Sequence, residues 1–81
     1  MSLREQIRQF VTTNFYLPDP RTLADTTSFL ETGIIDSTGV LEIVGFLERD
    51  LGLHLRDNEI VPENLDSIAN IASFVERKRN Q

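Results

Sequence analysis

The chain has no cysteine and a single histidine, His54. Without cysteine there is no disulfide, no thiolate metal site and no thiol nucleophile. The lone histidine also leaves a nucleophilic serine without a base. His54 lies beyond the far end of the helix that Ser37, the one promising hydroxyl, would begin. A helix of about 15 residues is about 22 Å long, which keeps the two apart. His54 therefore reads as a surface or edge residue. No Gly-rich phosphate loop occurs, and no His/Asp/Glu cluster has metal-ligand spacing. No segment approaches the roughly 20 apolar residues that span a bilayer. Arg4, Glu5 and Arg8 interrupt the N-terminal stretch where a signal peptide would be apolar. These absences predict a cytoplasmic protein that is not itself an enzyme and does not insert into a membrane.

What is present is enough for one folded domain over residues 1–81. Apolar residues make up 40% of the chain, which supports a small packed core and argues against disorder. The net charge is −5, so nucleic acid would be repelled over most of the surface, and a basic enzyme face is the more natural partner. The 13 carboxylates are scattered and read as solvated surface and helix caps.

Helical spacing organises three segments. Ser2-Leu3-Arg4-Glu5 has the capping-box pattern, and Leu3, Ile7, Phe10 and Val11 follow on one face, so a first helix is expected over about 3–14. Pro18 and Pro20 forbid its continuation. Residues 16–35 then read as a long loop, pinned to the core by Leu23, Phe29, Leu30, Ile34 and Ile35. Asp36 is a good N-cap for a second helix over about 36–51, with Val40, Val44, Leu47 and Leu51 as its buried stripe. Gly52 is a plausible stop. A short helical turn is expected over about 56–61, before Pro62. Asp66 would cap a last helix over about 66–78, with Ile68, Ile71, Ala72 and Val75 buried. The expected fold is all-α: a small antiparallel bundle of three main helices and one short helix.

Ser37 stands out because it follows a loop and opens an apolar helix, in Gly33-Ile34-Ile35-Asp36-Ser37-Thr38. Free N–H groups and the helix dipole favour a phosphate there. The plain alternative is that Asp36 and Ser37 only cap the helix.

The order of these features resembles the acyl and peptidyl carrier protein family, over nearly the whole length. That family has a first helix, a long loop, and a Gly-x-x-Asp-Ser-Leu type motif opening the second helix. Here the motif reads Gly33 to Thr38, and the helix continues Gly39-Val40-Leu41-Glu42-Ile43-Val44-Gly45-Phe46-Leu47-Glu48. Gly52-Leu53-His54-Leu55 resembles the following turn, and Glu63-Asn64-Leu65-Asp66-Ser67-Ile68 the entry into the last helix. The resemblance implies that 4′-phosphopantetheine from coenzyme A is attached to Ser37 by a phosphopantetheinyl transferase, with Asp36 as the motif residue beside it. It implies an arm whose thiol carries acyl or aminoacyl thioesters. Its partners would be an activating ligase and downstream synthases or transferases of a fatty-acid, polyketide, lipid or aminoacyl-transfer pathway. The second helix would be the recognition helix, with Thr38, Leu41, Glu42, Gly45 and Glu48 toward partners and Arg49 interrupting the acidic face. Such carriers are usually monomers.

Thr38 departs from the pattern, which usually has leucine there, and so alters the apolar patch that partners grip. Phe46 and Ile60 look bulky for the cleft between the second and third helices, which favours short acyl or aminoacyl cargo. A competing expectation is an unmodified, carrier-like binding or regulatory subunit. The bare termini fit a free-standing carrier or an excised domain.

Overall fold

The computed structural model describes residues 2–80, and every regular element among them is helical. The longer helices are α1 (Leu3–Asn14), α3 (Gly39–Arg49) and α5 (Ile68–Arg79). Two single-turn helices separate them, α2 (Phe29–Thr32) and α4 (Pro62–Leu65), with 3-10 turns at Pro20–Thr22 and Asp57–Glu59. The radius of gyration of 11.7 Å is that of a packed chain of this length. No helix among the described residues is long and apolar enough to cross a membrane.

Ser2 starts α1: its Oγ accepts from Glu5 N–H at 3.2 Å. The helix buries Ile7 and Val11 and packs against α5. On α5 the buried positions are Ile68, Ile71, Ala72, Phe74 and Val75, the expected stripe widened by Phe74.

The connection after α1 is more ordered than a plain loop. Arg8 donates to the Leu23 carbonyl at 2.6 Å and to Asp25 at 2.6 Å, and Arg4 donates to the other Asp25 oxygen at 2.8 Å. Hydrogen bonds from Arg4 and then Arg8 hold the Asp25 carboxyl below the usual carboxylate range. The Asp25 carbonyl in turn accepts from Ala69 N–H at 2.8 Å, tying this segment to the first turn of α5. Further on, α2 interrupts what the sequence suggested was loop, and Gly33 ends it in the left-handed region at φ 75°.

Several expected boundaries move. The expected short helix at 56–61 is one 3-10 turn, Asp57–Glu59. Lys78 clamps that turn to α5, with Nζ 2.9 Å from both Glu59 oxygens. The Arg56 N–H and the Lys78 ammonium, in that order, hold the Glu59 carboxyl low. The last helix begins at Ile68, and Ser67 caps it by accepting from Asn70 N–H at 3.0 Å. Asp66 is not that cap; it ends α4 and directs its carboxylate to α2.

The buried face of α3 also differs from the expected stripe. Ile43, Phe46 and Leu47 are buried, while Val40, Val44 and Leu51 are half-buried. Phe46 stacks on Phe10 of α1 with ring centroids 4.4 Å apart, which rotates the core side of α3 toward α1. Glu42, Glu48 and Arg49 share one side of the helix, which centres its apolar arc on Ile43 and Leu47 rather than on the Val40–Val44 edge.

Candidate functional site

Ser37 lies in the turn that leads into α3. The regular hydrogen-bonded helix starts at Gly39, not at the expected 36, but Thr38 already has helical dihedrals at φ −72° and ψ −40°. Asp36 performs the cap: its Oδ1 accepts from Gly39 N–H at 2.8 Å and its carbonyl from Val40 N–H at 3.2 Å. Ser37 and Thr38 are therefore the first two positions after the cap, where helix amides lack internal partners. Among the described residues, neither of these two amides donates to a protein acceptor. The Ser37 side chain is exposed, and Thr38 makes no capping bond.

Gly39 explains how α3 approaches so closely. A Cβ there would stand 2.7 Å from Ile35 Cγ2 and 2.9 Å from Phe15 Cε1. Only a residue without a side chain lets this end of α3 rest on Ile35 and the Phe15 ring, and that contact sets where Ser37 emerges.

An apolar cleft of ≈ 220 Å³ opens beside Ser37. Val40 and Leu41 of α3 form one wall, Phe29 and Leu30 of α2 a second, and Ile60 to Pro62 with Leu65 and Asp66 the third. On the other side of Leu41 a groove runs between α1 and α3, lined by Phe10, Asn14, Thr38, Leu41, Glu42 and Arg49. Leu41, 63% exposed, is thus the ridge between two depressions. Leu30, 40% exposed, stands at the cleft's opposite rim.

The structure brings Thr38, Leu41 and Glu42 together on this ridge. Gly45 is half-buried beneath Arg49, whose guanidinium would meet a Cβ at Gly45 at 2.9 Å. Glu48 turns the other way, accepting from Leu55 N–H at 3.2 Å with His54 Nδ1 4.0 Å off. His54 itself is 92% exposed, beside the last turn of α3, while Ser37 precedes the first. No group of three or more His, Cys, Asp or Glu able to hold a metal occurs among the described residues.

Phe46 does not border the cleft beside Ser37; it faces α1. Ile60 does border it. Apart from Leu41, the remaining wall residues are not among the site residues expected from the sequence. Two signals could have revealed their elements: Ser28-Phe29-Leu30-Glu31 has capping-box spacing, and Pro62 suits the first position of a helix.

Neither a scan of protein-family models nor a search of curated proteins finds a match to this chain.

Proposed function

We propose that this chain is a carrier protein on which Ser37 bears 4′-phosphopantetheine. The observation that carries the reading is the setting of Ser37: an exposed residue at a helix N-terminus, with two amides that find no acceptor among the described residues, at the mouth of an apolar cleft. The donor set fits a phosphodiester, because N–H groups and the helix dipole favour negative charge at that point. When bound, the group supplies the thiol that this chain lacks. The chain itself anchors, orients and presents. Asp36 fixes the first turn, so that Ser37 projects from a defined place. Thr38, Leu41 and Glu42 offer a small apolar ridge with one negative charge to a basic partner face. Such a protein contributes effective concentration rather than bond-making.

Three longer helices, with a long connection between the first two, are what the resemblance to the carrier family implies, and the all-helical chain supports the reading to that extent. Cleft size bears on cargo. A cavity of about 150 Å³ accepts a benzene ring, so the ≈ 220 Å³ here has room for a short acyl or single-ring aminoacyl group without rearrangement. A phosphopantetheinyl transferase, an acyl- or aminoacyl-activating ligase and a downstream transferase or synthase would be the partners.

The test is intact-protein mass before and after incubation with coenzyme A and a promiscuous phosphopantetheinyl transferase. The expected result is one added phosphopantetheine on the parent chain and none on Ser37→Ala. No gain with several transferases would reduce Ser37 to a helix-capping position and leave an unmodified binding subunit as the reading.

A further inference from the structure

We propose that Asp66 is a clasp whose release opens the apolar cleft beside Ser37, with α2 as the part that moves. A one-turn helix has no stability of its own, because nucleation is costly and little propagation follows. Something outside α2 must therefore hold it. All of its N-terminal amides lead to Asp66. Phe29 N–H donates to the Asp66 carbonyl at 2.8 Å, and Leu30 N–H donates to Asp66 Oδ1 at 2.9 Å. Glu31 N–H donates to Ser28 Oγ at 3.1 Å, and the Ser28 hydroxyl donates to Asp66 Oδ2.

The fixed and the mobile parts can be told apart. Phe29 is 1% exposed and anchors α2 in the core, whereas Leu30 is 40% exposed at the rim of the cleft. Gly33 follows at φ 75°, where an added Cβ would meet nothing within 4 Å, so no side-chain packing holds the chain at this end of α2. Release of the clasp lets Leu30 and Glu31 swing about the Phe29 anchor, away from Leu41 and Pro62. Asp66 lines the same cleft, so one residue both walls the cavity and fastens its lid. The inference rests on the cleft and not on modification of Ser37, so it can fail or hold separately from the carrier reading.

The experiment uses the unmodified full chain, as parent, Ser28→Ala and Asp66→Asn. Amide hydrogen exchange by NMR is read at Leu30 and Glu31, with Val11 and Val75 as core references. In parallel, the neutral fluorescent probe N-phenyl-1-naphthylamine is titrated into each protein. The expected result in both variants is at least roughly tenfold faster exchange at Leu30 and Glu31, the effect of losing one or more hydrogen bonds that end on a charged acceptor. Exchange at Val11 and Val75 should stay within about twofold, since local openings do not involve the core. The probe should bind more tightly in proportion, because the open state is more populated. Three results would each overturn the proposal: unchanged exchange in α2, a rise shared equally by the core amides, or loosened α2 without tighter probe binding. Unfolding of Ser28→Ala would do so as well, since the clasp would then be inseparable from the fold as a whole.

Discussion

Two glycines of α3 look alike in the sequence and should respond in opposite directions to the same substitution. At Gly39 an added methyl meets Ile35 and Phe15 at 2.7 and 2.9 Å, and neither can retreat, because Ile35 is buried and the Phe15 ring packs against Phe10. Gly39→Ala should cost about 1–3 kcal/mol through overpacking, partly offset by better helix propensity. At Gly45 the methyl meets only the end of the Arg49 side chain. That side chain is exposed and can move aside, so Gly45→Ala should stabilise by up to about 1 kcal/mol. Urea unfolding of both variants checks the pair; two shifts of the same sign would mean that the Arg49 packing, or the Phe15 contact, is not as described. Capping gives a similar contrast. Asp36→Ala should cost about 1 kcal/mol, because its carboxylate holds Gly39 N–H. Thr38→Ala should fall within about 0.5 kcal/mol of the parent, since Thr38 caps nothing. A Thr38 effect larger than that of Asp36 in the same urea series would place the cap on the wrong residue.

Among the elements, legibility followed length. The helices α1 and α5 have a capping serine and several turns of periodic apolar residues, and both emerge close to their expected ranges. The single-turn helices α2 and α4 are too short for periodicity, and α2 is held by contacts distant in sequence, as with Phe29 N–H on the Asp66 carbonyl. Ser67 and Asp66 are adjacent good caps, and the sequence reading chose Asp66. Packing decides otherwise: Ser67 serves α5 and Asp66 is drawn across to α2. The site was legible in the same uneven way. Ser37, Asp36 and Leu41 follow from one motif and one helix. The far wall of the cleft comes from segments separated by about thirty residues, whose meeting no local pattern announces.

For the molecule as a whole, acid should be more damaging than its small number of ion pairs suggests. Asp25 and Glu59 join the long connection and the 57–59 turn to α1 and α5 respectively, and both carboxyls are held below their ordinary values of 3.8 and 4.5. A depressed folded pKa contributes stability that is fully present above the unfolded value and is lost as pH falls through the folded one. Thermal stability should therefore be flat near neutrality and decline below about pH 4.5 as the unfolded chain begins to take up protons more readily. Asp25→Asn should melt earlier than the parent at pH 7 and show a shallower decline toward pH 3. Parallel melting curves over that range would remove Asp25 from the account. Protonation of the 13 carboxylates also turns the net charge positive, and the resulting self-repulsion acts in the same direction.

Lys78 is the only lysine in the sequence, and its side chain is 14% exposed, paired with Glu59 and 5.9 Å from the centre of the Phe74 ring. Reagents that acylate amines thus find their one lysine target engaged rather than free in solvent. Its labelling rate would read how often the 57–59 turn lets go of α5, making an ordinary bioconjugation reagent a clock for the wall that carries Ile60.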